Sequence, residues 1–168
     1  NYKNMSDILI TNSVTILIAL IAGMVALHQV KLNVISAARV KWVEDLRETL
    51  SLYICEIEIA TNARLDLIDE RKGKSGKELE DVLDKFYNPY LNASKEVQKL
   101  QSKILLYLDS ENTQHKKIEE LLHLNSILVH KTPGDNRDEI RRNITEIVKI
   151  SKSIFKVEWK KSKGLFKI

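Results

Sequence analysis

The most apolar part of the chain comes first. From Ile8 to Leu27, twenty consecutive residues carry no charge. As a helix they rise about 30 Å, the hydrocarbon thickness of a bilayer. Polar side chains gather at one end, at Asn12, Ser13 and Thr15, where headgroups and water are near. The remainder, about 140 residues, is short for wrapping so long an apolar helix. Segment 1–28 is therefore expected to span a membrane. A cleaved leader fits less well: Lys3 is followed by Asp7, and no A-x-A site comes after the apolar run. Within the span, Asn12, Thr15, Ala19, Ala22 and Ala26 step by three and four, with Gly23 beside them. That spacing puts small and polar groups on one helix face, opposite Leu17, Leu20, Ile21 and Val25. Gln29, Asn33 and Ser36 continue the same steps.

Residues 29–168 are patterned as helices. Ile35, Ala38, Trp42, Val43, Leu46, Leu50, Ile54, Ile57, Leu65 and Ile68 repeat at helical spacing with no breaker between them and the span. Lys72-Gly73-Lys74-Ser75-Gly76-Lys77 is a turn. A second helix starts near Glu78 with Leu79, Val82, Leu83 and Phe86. Asn88-Pro89 predicts a kink or break, because proline lacks the backbone donor and crowds the preceding turn. The pattern resumes through Ala93, Val97, Leu100, Ile104 and Leu108. Asp109-Ser110-Glu111-Asn112 reads as connector and cap. A third helix follows with Ile118, Leu121, Leu122, Asn125, Leu128 and Val129, ended by Thr132-Pro133-Gly134-Asp135. Asp135 or Asn136 caps a last helix carrying Ile140, Ile144, Ile147, Ile150 or Ser151, Ile154 and Phe155. The expected fold is all-α: a transmembrane helix and an antiparallel bundle of four to five helices.

Composition agrees with helices rather than a β-sandwich, since five glycines and two prolines supply few turns. Cys55 is the single cysteine, so no intrachain disulfide forms; it reads as a small buried residue. Lys31, Arg39 and Lys41 follow the span, whereas only Lys3 and Asp7 precede it. The positive-inside rule then places the C-terminal domain in the cytoplasm. From Arg141 onward nine Lys or Arg face two Glu, with Trp159, Leu165, Phe166 and Ile168 interleaved among Lys160, Lys161, Lys163 and Lys167. Such a tail suits anionic lipid, nucleic acid, or simply a solvated helix end favoured by the macrodipole.

Chemistry-bearing motifs are sparse. The sequence holds no phosphate-binding glycine loop, no C-x-x-C and no H-E-x-x-H. His115, Glu119 and His123 share a helical face that reads as solvated rather than metal-binding. Asp66, Asp69 and Glu70 read as surface charges. No cofactor, metal or small-molecule substrate is expected. The most informative polar cluster is Arg141-Arg142-Asn143, at the start of the last helix.

A small helical bundle with Arg142-Asn143 opening a late helix resembles a HEPN domain. In HEPN nucleases such an arginine is followed five to seven residues later by histidine, and the pair cleaves RNA across a dimer. Here those positions are Ile147, Val148 and Lys149, so the resemblance implies a divergent site without its catalytic partner. Span, bundle and length together resemble the CRISPR-associated membrane accessory proteins encoded beside type VI-B RNA-guided ribonucleases. That resemblance implies anti-phage defence at the bacterial inner membrane, by a single-pass homo-oligomer that permeabilises the bilayer and works with a type VI-B effector or its RNA. Arg142 and Asn143 would serve assembly; Asn12, Thr15, Ala19, Ala22, Gly23 and Ala26 would form a helix interface or line a pore. Two alternatives stand beside it: a membrane-tethered ribonuclease with an altered site, and an inert anchor presenting a helical bundle to a partner.

Overall fold

The structure, a computed structural model, describes residues 2–131 and 136–164, with side chains over 12–131 and 136–163. In chain order the elements are α1 (Tyr2–Arg71), α2 (Lys77–Val82), a π turn (Leu83–Tyr87), α3 (Asn88–Tyr107), α4 (Thr113–His130) and α5 (Arg137–Gly164). No strand occurs among the described residues. Two compact units share these helices. One holds residues 1–41 and 158–168; the other holds Trp42–Val157.

In the first unit, α1 is long and apolar enough to cross a membrane. None of its most apolar window is buried by the described chain. Leu17, Leu20, Ile21 and Val25 are all at least half exposed. The end of α5 packs against α1 just beyond this stretch. The buried Ser36 hydroxyl donates to the Ser162 carbonyl at 3.1 Å, and Arg39 lies 4.0 Å from Glu158. Ser162 in turn donates to the Trp159 carbonyl at 2.8 Å.

The second unit is a helical bundle around one core. Leu46, Leu50, Tyr53 and Ile57 of α1 meet Val97 and Ile104 of α3, Ile118 and Leu122 of α4, and Ile144, Ile147 and Ile154 of α5. The core face of α1 differs in part from the expected one. Tyr53, Ala60, Arg64 and Leu67 turn inward, whereas Leu65 and Ile68 are half-buried. Their spacing continues the Val43, Leu46, Leu50 series; the polar side chains at 53 and 64 hide it in a purely apolar reading.

The chain connections follow backbone rules. α1 gives way to a turn containing Gly73 and Gly76, both at positive φ (74° and 55°), where a side chain would be strained. Asn112 caps α4: its side-chain oxygen accepts from the amides of Gln114 (2.9 Å) and His115 (3.3 Å). The carbonyl of Asn136 accepts from Ile140 at 3.0 Å, which starts α5, while its amide side chain reaches back to the Leu128 carbonyl at 3.0 Å. Asp135, the alternative cap, lies outside the described residues, as do Thr132, Pro133 and Gly134.

Of the kink or break expected at Asn88-Pro89, the break does not occur, and an irregular turn stands there instead. The π turn ends immediately before these residues, and helix continues on both sides. The wider turn before Pro89 leaves room for its ring without ending the helix. Cys55 also departs from expectation: it is exposed rather than buried. It sits between the inward Tyr53 and Ile57, and helical rotation turns it away from the core.

Candidate functional site

Three polar groupings and one exposed helix face are the places where chemistry or recognition can reside. The face lies on α1. Asn12, Thr15, Ala19, Ala22, Gly23 and Ala26 are exposed, and a Cβ on Gly23 would meet nothing within 4 Å. A second helix can therefore approach this side more closely than it could approach the branched side chains opposite. Further along, Gln29 donates to Asn33 at 3.1 Å, an i to i+4 link on the same line. At Ser36 the line is covered by the chain itself, because α5 supplies the Ser162 carbonyl.

The second grouping contains Arg142 and Asn143, and the fold separates them. Arg142 is exposed on α5. Asn143 points inward and donates from Nδ2 to Asn125 Oδ1 of α4 at 2.9 Å. Asn125 is fully buried, as is Tyr53 of α1. The Tyr53 hydroxyl and the Asn125 Nδ2 each lack a well-formed hydrogen bond, although they lie close. Burial pushes the phenol well above its ordinary pKa, and the neighbouring Asn125 side chain offsets only part of this. Where a HEPN histidine would fall, Ile147 is fully buried, Val148 is half-buried, and Lys149 is exposed beside Glu146 at 3.4 Å. Asn143 thus ties α5 to α4, a structural role, and only Arg142 faces solvent.

The third grouping lies where α4 ends. Arg64 of α1 is buried, and its Nη1 donates to the carbonyl of Val129 in the last turn of α4. A guanidinium there satisfies a carbonyl that the helix leaves open and opposes the negative end of the dipole. Next to it, the Tyr90 hydroxyl and His130 Nδ1 are 2.7 Å apart, with the rings edge to face. Burial first, and the Arg64 charge second, hold the His130 imidazole below its ordinary pKa. The Tyr90 hydroxyl and the His130 ring share this bond, one donating and the other accepting according to which ring nitrogen carries the proton. Position in sequence offered no sign of this clasp, since its members are separated by 26 to 66 residues.

The fourth feature corrects a reading of α4. His115 is buried rather than solvated. Its Nδ1 accepts from the Asp109 amide at 2.9 Å, and its ring stacks on Trp42 at 6.0 Å. Trp42 itself donates to the Tyr107 carbonyl at 3.1 Å. Both contacts fasten the α3–α4 connection to α1. Glu119 and His123 remain exposed. Among the described residues, no three His, Cys, Asp or Glu side chains group as a metal would need.

Asp66, Asp69 and Glu70 are exposed as expected. Lys74 bonds Glu70 at 2.7 Å and holds its carboxyl below the ordinary value. A shallow open depression beside the start of α5 is lined by Glu58, Thr61, Asn62, Arg137, Ile140 and Arg141. It brings cations and a carboxylate together without an enclosed space for a small molecule.

Set against protein-family models, curated proteins and solved structures, the chain finds no match in any of the three.

Proposed function

We propose that this protein is a membrane-embedded, self-associating effector that supports CRISPR RNA-targeting defence against phage by perturbing the bacterial inner membrane. In this reading 1–28 is the span, residues 29–168 form a divergent HEPN-like domain in the cytoplasm, and the partners are other copies of the chain and a type VI-B effector. The observation that carries the reading is the α1 face from Asn12 to Ala26. It is small, polar in its first turns and exposed along its length. In lipid, apolar area does not drive helices together; close backbone approach and paired polar groups do. A plain anchor has no need of such a face. The basic excess after the span supports a cytoplasmic domain. The inward turn of Asn143 supports a non-catalytic role for the Arg142-Asn143 pair.

The test replaces Ala19, Ala22, Gly23 and Ala26 with Leu in the full chain. Crosslinking in membranes and leakage of membrane potential should both fall. As a control, Leu17, Leu20, Ile21 and Val25 become Ala, with compensating Leu elsewhere in the span, and neither readout should change. Unaltered crosslinking and leakage in both sets would make the span an anchor. Cleavage of labelled RNA without metal, lost in Arg142→Ala, would replace this function with the ribonuclease. A reporter fused after Ile168 should behave as cytoplasmic.

A further inference from the structure

We infer that the first unit carries a basic collar, formed jointly by the juxtamembrane turns of α1 and the last turns of α5, that binds the anionic phospholipid headgroups of the leaflet α1 enters. The inference rests on residues 8–27 spanning a bilayer, and it adds a ligand that the span does not require.

The geometry starts at Ser36. Two pairings, Ser36 with Ser162 and Arg39 with Glu158, run in opposite chain directions, so α5 descends along α1 toward the apolar stretch. Ser36 follows Leu27 by nine residues, a rise of about 13 Å. The headgroup zone occupies the first 5–7 Å or so of that distance. The end of α5 therefore lies within about one Debye length of the lipid phosphates. Lysine stems extend several ångströms further and carry their charge to the interface.

Charge in this layer has one sign. Beyond the span, the described part of the first unit contains Lys31, Arg39, Lys41, Lys160, Lys161 and Lys163 against a single carboxylate, Glu158. Glu158 is itself engaged, with Lys161 at 2.5 Å and Arg39 at 4.0 Å. Lys31, Lys41, Lys160 and Lys163 are exposed. Trp159 is 45% exposed, and the Lys163 ammonium sits 5.3 Å from its ring centre. RNA would accept the same cations, but their placement beside the span presents them to lipid phosphate first.

The experiment reconstitutes the full chain into phosphatidylcholine vesicles, with and without 30% phosphatidylglycerol (about that fraction suffices for a surface potential). Lipid retained on the protein is quantified after mild detergent extraction. Phosphatidylglycerol should be enriched over phosphatidylcholine. Lys31→Gln, Lys160→Gln and Lys163→Gln combined should reduce enrichment by at least about fivefold, the effect of one charge near the surface, while the protein still inserts. Equal retention of both lipids by a protein that floats with both vesicles overturns the collar and leaves the span intact. Failure to float with either vesicle overturns the span and the collar together. Single-stranded RNA bound through the same lysines, with no preference for phosphatidylglycerol, overturns the collar in favour of nucleic acid.

Discussion

Residues 15–36 and 43–64 of α1 lie on one line of sevens. Thr15, Ala22, Gln29 and Ser36 occupy its first half; Val43, Leu50, Ile57 and Arg64 occupy its second. In the second half each residue is buried, and the companions Leu46, Tyr53, Ala60 and Leu67 bury with it. In the first half Thr15 and Ala22 are exposed, and burial begins only at Ser36. The spacing is shared, so spacing does not decide the outcome. Side-chain size and solvent do. In water, large apolar groups gain by leaving solvent, and three further helices of the same chain cover them. In a bilayer, where the proposed function puts the first half, that gain is absent, and small groups matter because they let another backbone come near. The comparison teaches that a heptad line states where contact is geometrically possible, while its residues state what kind of contact it is.

The sharpest way to break the comparison is to exchange size between the halves. Ile57→Ala should destabilise the second unit by about 2–5 kcal/mol, since the side chain is fully buried and its cavity would be lined by a packed core. The corresponding change in the first half, Ala22→Leu, should leave that stability within about 0.5 kcal/mol. Urea unfolding of the full chain in detergent, followed by helicity, reads both. Equal effects would mean that the two halves are packed alike.

A smaller effect separates Arg142 from Asn143. Asn143→Ala removes the bond to Asn125 and leaves a buried amide short of a partner, which costs about 1–3 kcal/mol. Arg142→Ala should change stability by less than about 0.5 kcal/mol. The same unfolding measurement checks this, and a large loss from Arg142→Ala would overturn the assignment of Asn143 as the structural member. Crosslinking of the Arg142 variant then reports on assembly without the confusion of a weakened fold.

These two cases also mark how far the sequence was legible. The helices, the glycine turn after α1, the Asn112 cap and most core positions on α3, α4 and α5 follow from period and cap chemistry. Such signals are local, and the folded chain respects them. Tyr53 and Arg64 were hidden because an apolar pattern omits polar residues, although both sit on the buried line. The exposed Cys55 and buried His115 reverse their residue averages, since helix phase decides burial more strongly than residue type does. The clasp of Arg64, Tyr90 and His130 and the Asn125–Asn143 bond join distant helices and leave no local trace. The separation of exposed Arg142 from half-buried Asn143 likewise depends on how α5 sits against α4. A two-residue motif carries no information on that.

Tyr53 gives a test nearer to thermoneutral. Its hydroxyl is buried without a well-formed bond, so Tyr53→Phe should leave stability at pH 7 unchanged or raise it by up to about 1 kcal/mol. Its folded pKa is raised, so the neutral phenol is the form the fold accepts. Stability is therefore intact below the unfolded value of about 10 and is lost as pH rises beyond it. Unfolding curves at pH 7 and pH 10.5 should show the phenylalanine variant gaining on the wild type at the higher pH. A parallel decline in both would remove the phenol from the alkaline sensitivity.

His130 supplies the smallest effect and the opposite sign. Its folded pKa is lowered, chiefly by burial and then by Arg64, so the fold prefers the neutral imidazole. Below the ordinary histidine value, about 6.5, the unfolded chain binds a proton that the folded one resists. Stability then falls with falling pH until the folded imidazole also titrates. Protonation makes both ring nitrogens donors, so the Tyr90 hydroxyl can then only accept at Nδ1. The second unit should accordingly lose stability between pH 7.5 and pH 5.5. The chain has three other histidines, so the part owed to His130 is read as the difference from His130→Gln. The wild type should exceed that variant by more at pH 7.5 than at pH 5.5. A constant difference would show that the imidazole holds Tyr90 through shape alone, with its charge state of no consequence to the end of α4.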